Sequence, residues 1–489
     1  MTDRMTLHTP APADRPLAGQ LDATVSLLPT IFMISLLIPM LIPVGPLLLM
    51  PHRIFLLLVS VPLGLRLLTG QAGRLILPDY LMIFSLLWAT IALAISEGTG
   101  VAAGANPVEA IGIHWIEFMG AYLLGRVCIR SAAGFVKFVK TYFVLILILL
   151  PFAALEALTF RPIYLDLMPN SIASNVMTPR WGMRRAQVAF SHPILFGVFT
   201  STALGLFWYV LRPRIVWATG VMGAVAATVF SLSSGALISL TIQSLFIAWE
   251  FVTKRITWRW RLFLALFAVM YVAIDLLSNR TPFHVLASYA SFNTGSGYAR
   301  ILIWNLGTAN VANNPWFGLG LDIDNWERPY WKSASADNFW LVIAMQYGLP
   351  AIISFGGAVL LIIRGAAMQR FKDPVLRGCQ AGFLTTMGGL VIAGGTVHYW
   401  HAILAFAMFL FGAGVWIFTT DPEAETEATG EGEDSEDPAA PVQSTTRYSR
   451  FAPQRKMPQA RPVPPPKPRG RNSRGAPPLN RRTHAPPKR

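Results

Sequence analysis

Charge is scarce in this chain. Of its 489 residues only 13% are charged, where a soluble globular protein carries roughly 25%, and that shortage excludes an ordinary soluble enzyme. Cysteine is almost missing as well. Cys128 and Cys379 are the only two, and both are expected at cytoplasmic span ends, so no disulfide framework is implied. The first 25 residues lack the basic, apolar, small-residue order of a cleaved signal peptide, and the sequence shows no internal repeat. Acidic residues are outnumbered, 25 against 40 basic ones, for a formal charge of +15. Residues 421–489 hold 13 basic and 9 acidic side chains, so the rest of the chain carries the remaining +11. A charge excess carried by an apolar body is not a nucleic-acid signature, and it invites a test of the positive-inside rule instead.

What the chain has in quantity is hydrophobic sequence, 53% of its residues, at a mean hydropathy of +0.48. Runs of about 20 apolar residues are expected per membrane span. They fall near 26–50, 54–70, 77–96, 108–127, 134–158, 190–211, 215–233, 235–252, 261–278, 338–363, 379–397 and 400–419. The expected fold class is therefore all-α: a polytopic membrane protein of about 12 transmembrane helices, with a long extracytoplasmic loop between spans nine and ten. The second run is short, and the break at Ser233-Ser234-Gly235 is compatible with one bent helix. Residues 1–25 read as a cytoplasmic segment and 26–419 as the membrane domain. Residues 420–489 read as a disordered cytoplasmic tail, acidic from Asp421 to Asp437 and then basic and proline-rich. Such a tail is either simply solvated or a dock for anionic lipid or for a partner that reads polyproline helix.

With both termini cytoplasmic, 18 of the 27 basic residues before the tail fall inside, and eight of the other nine sit in just two outer loops. The loop 159–189 carries Arg161, Arg180, Arg184 and Arg185, and the loop 279–337 carries Arg280, Arg300, Arg328 and Lys332. Long outer loops obey the rule less strictly, but basic residues concentrated there also suggest an anion to bind. The second loop runs from Arg300, with Trp304 four residues on and so on the same helical face. It continues through the turn Asn314-Pro-Trp-Phe-Gly-Leu-Gly320 to Ser335-Ala-Asp337-Asn338 and Gly348-Leu-Pro350. The first loop ends in Arg185-Ala-Gln-Val-Ala-Phe-Ser-His192-Pro193, and Ser231-Leu-Ser-Ser-Gly-Ala forms a turn between spans.

Taken in order over roughly residues 180–350, these motifs resemble the O-antigen ligase and polymerase superfamily of bacterial envelope glycan assembly. The matching positions are Arg185, His192-Pro193, the Ser231 turn, Arg300, Trp304, Asn314-Pro315, Gly318, Gly320, Asn338 and Gly348. The resemblance implies a multi-pass enzyme of the bacterial inner membrane that takes a polyprenyl-pyrophosphate-linked oligosaccharide as donor and needs no cofactor and no metal. Two positions depart from the pattern: Asp337 stands where a His usually precedes Asn338, and Val188 where a Gly is common. Because that His is the family's candidate for acceptor activation in ligases, the departure favours a polysaccharide polymerase over a ligase.

Glycan transfer from such a carrier needs cations for the departing pyrophosphate and a base for the acceptor hydroxyl. Arginine pairs bidentately with phosphate oxygens and stays charged. Arg185 and Arg300 are the first candidates, with Arg184 and Arg280 as equally placed alternatives that would otherwise snorkel to the interface. Asp337 is the first candidate base, although it also sits where an N-cap would start span ten. His192 reads as orienting the donor or capping span six, and His284 as an alternative base. Trp304, Trp316, Trp326, Trp331 and Asn338 are candidate sugar contacts, or the tryptophans seat the loop among headgroups. Asp322-Ile-Asp324 could hold a divalent cation but reads better as a solvated turn. His398 and His401 read as an interfacial connection without a third ligand. Inside span four, Glu117 is expected to pair with His114, three residues away on one helical face. The resemblance also makes other polysaccharide export proteins candidate partners of the tail, and a transporter of lipid-linked glycans and a non-catalytic scaffold working through the tail are the competing classes.

Overall fold

The computed structural model describes residues 27–44, 47–96, 106–168, 170, 171, 179–279, 281, 282, 284, 285, 294–329 and 335–420. The chain divides into two units, Met1–Gly432 and Glu433–Arg489. The second unit, the first 25 residues, Arg280 and Trp331 all lie outside the described residues.

In chain order the described helices are α1 (Leu28–Ser35), α2 (Pro51–Leu68), α3 (Leu77–Ala94), α4 (Pro107–His114), α5 (Ala121–Cys128), α6 (Ala132–Thr159), α7 (Ile163–Asp166), α8 (Pro193–Ser201), α9 (Ala203–Val210) and α10 (Arg214–Phe230). They continue with α11 (Ser234–Val252), α12 (Arg259–Leu277), α13 (Thr294–Asn313), α14 (Phe339–Tyr347), α15 (Leu349–Met368), α16 (Pro374–Gly394), α17 (Ala402–Ala413) and α18 (Val415–Thr419). Among the described residues, nine helices are long and apolar enough to cross a membrane. This is an all-α, multi-pass membrane protein.

Five of the twelve apolar runs are not a single plain helix: those at 190–211 and 400–419 are each divided at one residue, between α8 and α9 and between α17 and α18, and three others depart further. The run at 26–50 yields only the eight-residue α1, followed by a two-stranded antiparallel hairpin that pairs Ile42 with Leu49. Pro39 and Pro43 explain the correction, since proline withholds an N–H and its ring clashes with the preceding helical turn. The run at 108–127 is one rod, but α4 and α5 are joined by a π-helical segment, Trp115–Gly120, which rotates the side chains that follow. The run at 338–363 is broken between α14 and α15 by Gly348, whose φ of 84° is open to glycine and costly to other residues. At the Ser231 turn the alternative of one bent helix is not found: α10 and α11 are separate, with Leu232 between them at φ 46°.

Apolar residues that would all face lipid in an isolated helix are instead shared among neighbours. Tyr142 of α6 packs edge-on against Phe199 of α8 and Phe406 of α17. Gly125 of α5 and Gly412 of α17 lie against each other's helix backbone, where a Cβ would collide with carbonyl groups. Small residues at such crossings let helices approach closely when no hydrophobic effect drives them together in lipid.

Candidate active site

The segment 179–192, which precedes α8, is held from the side by one carboxylate. Glu156, near the end of α6, accepts the backbone N–H of Gln187 (3.3 Å) and of Val188 (2.9 Å). It also pairs with Arg184 at 3.1 Å, both side chains 1% exposed. Arg184 Nη1 donates to the Phe160 carbonyl as well, so this arginine is committed to fixing the loop. Its neighbour Arg185 takes no part in these bonds. Arg185 is buried at 5% exposure, and its Nε has no hydrogen-bond partner among the described residues.

Two further segments come up to this loop. In the Ser231 turn the Leu232 carbonyl accepts Arg180 Nη1 (2.9 Å), and Ser234 Oγ accepts Arg300 Nη2 (2.9 Å). The turn that joins α10 to α11 therefore ties the first outer loop to α13. The third segment is Ser335 to Asn338. The N-cap of α14 is Asn338, whose side-chain oxygen accepts the Leu341 N–H at 3.0 Å, so capping does not fall to Asp337. The Asp337 carboxylate instead accepts the Ser335 hydroxyl (2.9 Å) and favours the charged forms of both Arg185 and Arg300.

Burial lowers Arg185 to about 10, nearby Arg180 pushes it the same way, and Asp337 opposes them. For Arg300 burial also lowers the pKa, Asp337 raises it and Arg180 lowers it. Guanidinium is effectively always charged in proteins, so three arginines gathered near one carboxylate leave the site a positive excess ready for an anion. His192 closes the group. Its Nδ1 accepts the Ile194 N–H (3.1 Å) as the N-cap of α8, and burial, then Arg185 and Arg180, bring its pKa down to about 4.

Residues 183–356 match the family model described as O-antigen ligase. Over that stretch the chain is similar to the O-antigen ligase family. No curated protein matches the chain. The matched stretch contains Arg185, His192, the Ser231 turn, Arg300, Asp337 and Asn338, and it starts just after Arg180, a residue that the sequence offered only as one of eight basic loop residues.

Other sequence candidates within the matched stretch serve its framework. The 314–320 turn docks on the α14–α15 break, with Leu319 N–H on the Met345 carbonyl and Leu349 N–H on the Pro315 carbonyl, each at 2.7 Å. Trp88 Nε1 secures the same turn through the Trp316 carbonyl (2.8 Å). Trp316 and Trp304 keep exposed ring surface, at 66% and 37%. Trp326, at 2%, is sealed in a small core with Ile303, Val311 and Met345 and offers no open face for sugar stacking. His284 meets Asn305 of α13 (3.2 Å). Asp322 accepts Asn325 within a short 3₁₀ turn, and no group of three or more potential metal ligands forms among the described residues.

The expected pairing of Glu117 with His114 is corrected. Glu117 takes Arg53 at 2.8 Å and His52 at 3.3 Å, both from the first turn of α2, and Arg53 also donates to His401 Nδ1 (2.9 Å). His114 instead meets the Tyr347 hydroxyl (3.3 Å). The π-helical segment accounts for the change, because it turns Glu117 off the face that ordinary α-spacing assigns it. One signal pointed here: Arg53 is the ninth basic residue on the outer side and the one that neither loop contains.

Proposed function

We propose that this protein is a glycosyltransferase that moves glycan from a polyprenyl pyrophosphate carrier to an acceptor hydroxyl at the extracytoplasmic face of the bacterial inner membrane, extending a repeat-unit polysaccharide. The observation that carries this reading is the gathering of Arg180, Arg185 and Arg300 around Asp337 at the meeting of three separate segments. In the reaction the acceptor oxygen attacks the anomeric carbon and the bond from that carbon to the pyrophosphate oxygen breaks. The bonding pair leaves with the pyrophosphate, and the hydroxyl proton passes to the Asp337 carboxylate. Arg185 and Arg300 stabilise the charge that develops on the leaving group, where fixed donors in a buried site act most strongly. Trp304 and Trp316 present the exposed ring faces on which sugars stack.

The family description favours a second reading, a ligase that transfers the finished glycan to a lipid or other acceptor. The size distribution of carrier-linked glycan in a strain lacking the protein separates the two. Single repeat units accumulating on the carrier support the polymerase, and full-length chains stranded on the carrier support the ligase. An unchanged distribution together with an unchanged final glycan overturns both.

A further inference from the structure

We infer that His192 works as a neutral hydrogen-bond donor with its proton fixed on Nε2, and that this N–H joins Arg185 in holding the carrier pyrophosphate. The inference rests on the transfer reading above and assigns His192 a role that excludes it as the base. It begins with a single bond. A backbone N–H can only donate, so the nitrogen that receives it must present a lone pair, and Ile194 N–H points at His192 Nδ1 (3.1 Å). A neutral imidazole carries one proton, which therefore resides on Nε2. Protonating Nδ1 would remove the cap of α8 and place an N–H against an N–H. The ring is thus held neutral by the fold itself, and the cations Arg185 and Arg180 beside it act in the same direction.

Nε2 has no hydrogen-bond partner among the described residues, whereas the other nitrogen of the ring is committed to Ile194. The Trp400 ring lies against the imidazole at 6.0 Å between centroids and limits its freedom to turn. Independently, Arg185 is 5% exposed and leaves Nε without a partner among the described residues. Burying an arginine N–H unpaired is costly, and the cost is recovered when an anion arrives. An N–H of His192 and an N–H of Arg185, both unfilled and both belonging to the segment that leads into α8, form a donor set for phosphate oxygens. A neutral donor also suits a leaving group. It stabilises developing negative charge without a proton to lose, so proton acceptance falls to Asp337.

The test uses reciprocal variants of the full-length protein in micelles, with carrier-linked glycan isolated from a strain lacking it and release of polyprenyl pyrophosphate as the readout. His192→Ser keeps a capping oxygen and loses the Nε2 donor. His192→Gln keeps an N–H at about the same reach and loses the cap. Expected are a wild-type melting temperature with turnover lowered about 10²-fold for His192→Ser, and a lowered melting temperature with turnover well above that of the Ser variant for His192→Gln. The wild-type rate should show no step near pH 6.5 that the Ser variant lacks. Wild-type turnover in His192→Ser, or such a step, overturns the inference. Arg300→Ala distinguishes the levels: if it is inactive while His192→Ser is fully active, only the role of His192 falls, and if Arg300→Ala is fully active the transfer reading falls with it.

Discussion

Glu156 offers the most quantitative check on how the loop bearing Arg185 is held. Replacing it with alanine leaves the Arg184 guanidinium, 1% exposed, without its counter-charge and strips the acceptor from two backbone N–H groups. Breaking a buried pair by removing one partner costs about 3–5 kcal/mol, so Glu156→Ala should lose at least that much stability. The double variant Glu156→Leu, Arg184→Met removes both charges and fills similar volume, which is often close to neutral for the pair itself. It still orphans the Gln187 and Val188 N–H groups, at about 1–3 kcal/mol. The double variant should therefore be more stable than Glu156→Ala, and a cycle closed with the single variants Glu156→Leu and Arg184→Met should return a coupling of about 2–3 kcal/mol. Chemical denaturation in micelles followed by tryptophan fluorescence measures all five proteins. A Glu156→Ala cost below about 1 kcal/mol, or a double variant less stable than the single one, would refute the assignment of Glu156 as the anchor of this loop.

Two further outcomes are expected. Asp337→Asn should lower polyprenyl pyrophosphate release by about 10²–10⁴-fold without changing the denaturation midpoint, because the cap of α14 belongs to Asn338; an unchanged rate would remove Asp337 as the base. Stability should fall as pH drops from about 7 toward 4, since burial brings His192, His398 and His401 down to about 4 from the ordinary 6.5. The unfolded chain binds more protons across that window, which makes stability rise with pH through it; a flat profile, unaltered by His398→Phe, would contradict the buried placement of these rings.

Much of this arrangement was legible in the sequence because membrane helices announce themselves by length and apolarity. Arg185 and Asp337 stood out for a related reason, being charged residues next to the ends of apolar runs, and Arg300 stood out as a basic residue in the second outer loop. Glu156 did not, since it lies inside the apolar run 134–158 and its partner Arg184 is 28 positions away, beyond any local pattern. The cap of α14 shows the limit of resolution: Asp337 and Asn338 are adjacent and both are good caps, so only the bond to Leu341 decides between them. The run at 26–50 misled because hydropathy weighs composition and is blind to where proline interrupts the hydrogen-bond ladder. Glu117 misled because i, i+3 spacing presumes an α-helix, and a π-helical segment carries a different number of residues per turn.

The buried ionisable residues within the helical body bear on the competing transporter reading. A transporter of lipid-linked glycan needs polar groups near the bilayer midplane that remain available to a substrate, typically at paired broken helices. Glu117 lies midway along the α4–α5 rod, but its carboxylate is occupied by Arg53 and His52, and Arg53 also holds His401. Arg53 and His52 belong to the first turn of α2 and His401 immediately precedes α17, so the partners come from helix ends. This network ties three elements together through charges that satisfy one another. The arginines around Asp337 have the opposite character: Arg185 keeps an unmet donor, and like charges crowd where an opposite one is in short supply. An internally neutralised cluster stabilises a fold, whereas a buried cationic group with unfilled donors requires an anion from outside it, and for this protein that argues for chemistry on a phosphorylated carrier over passage of one through the bundle.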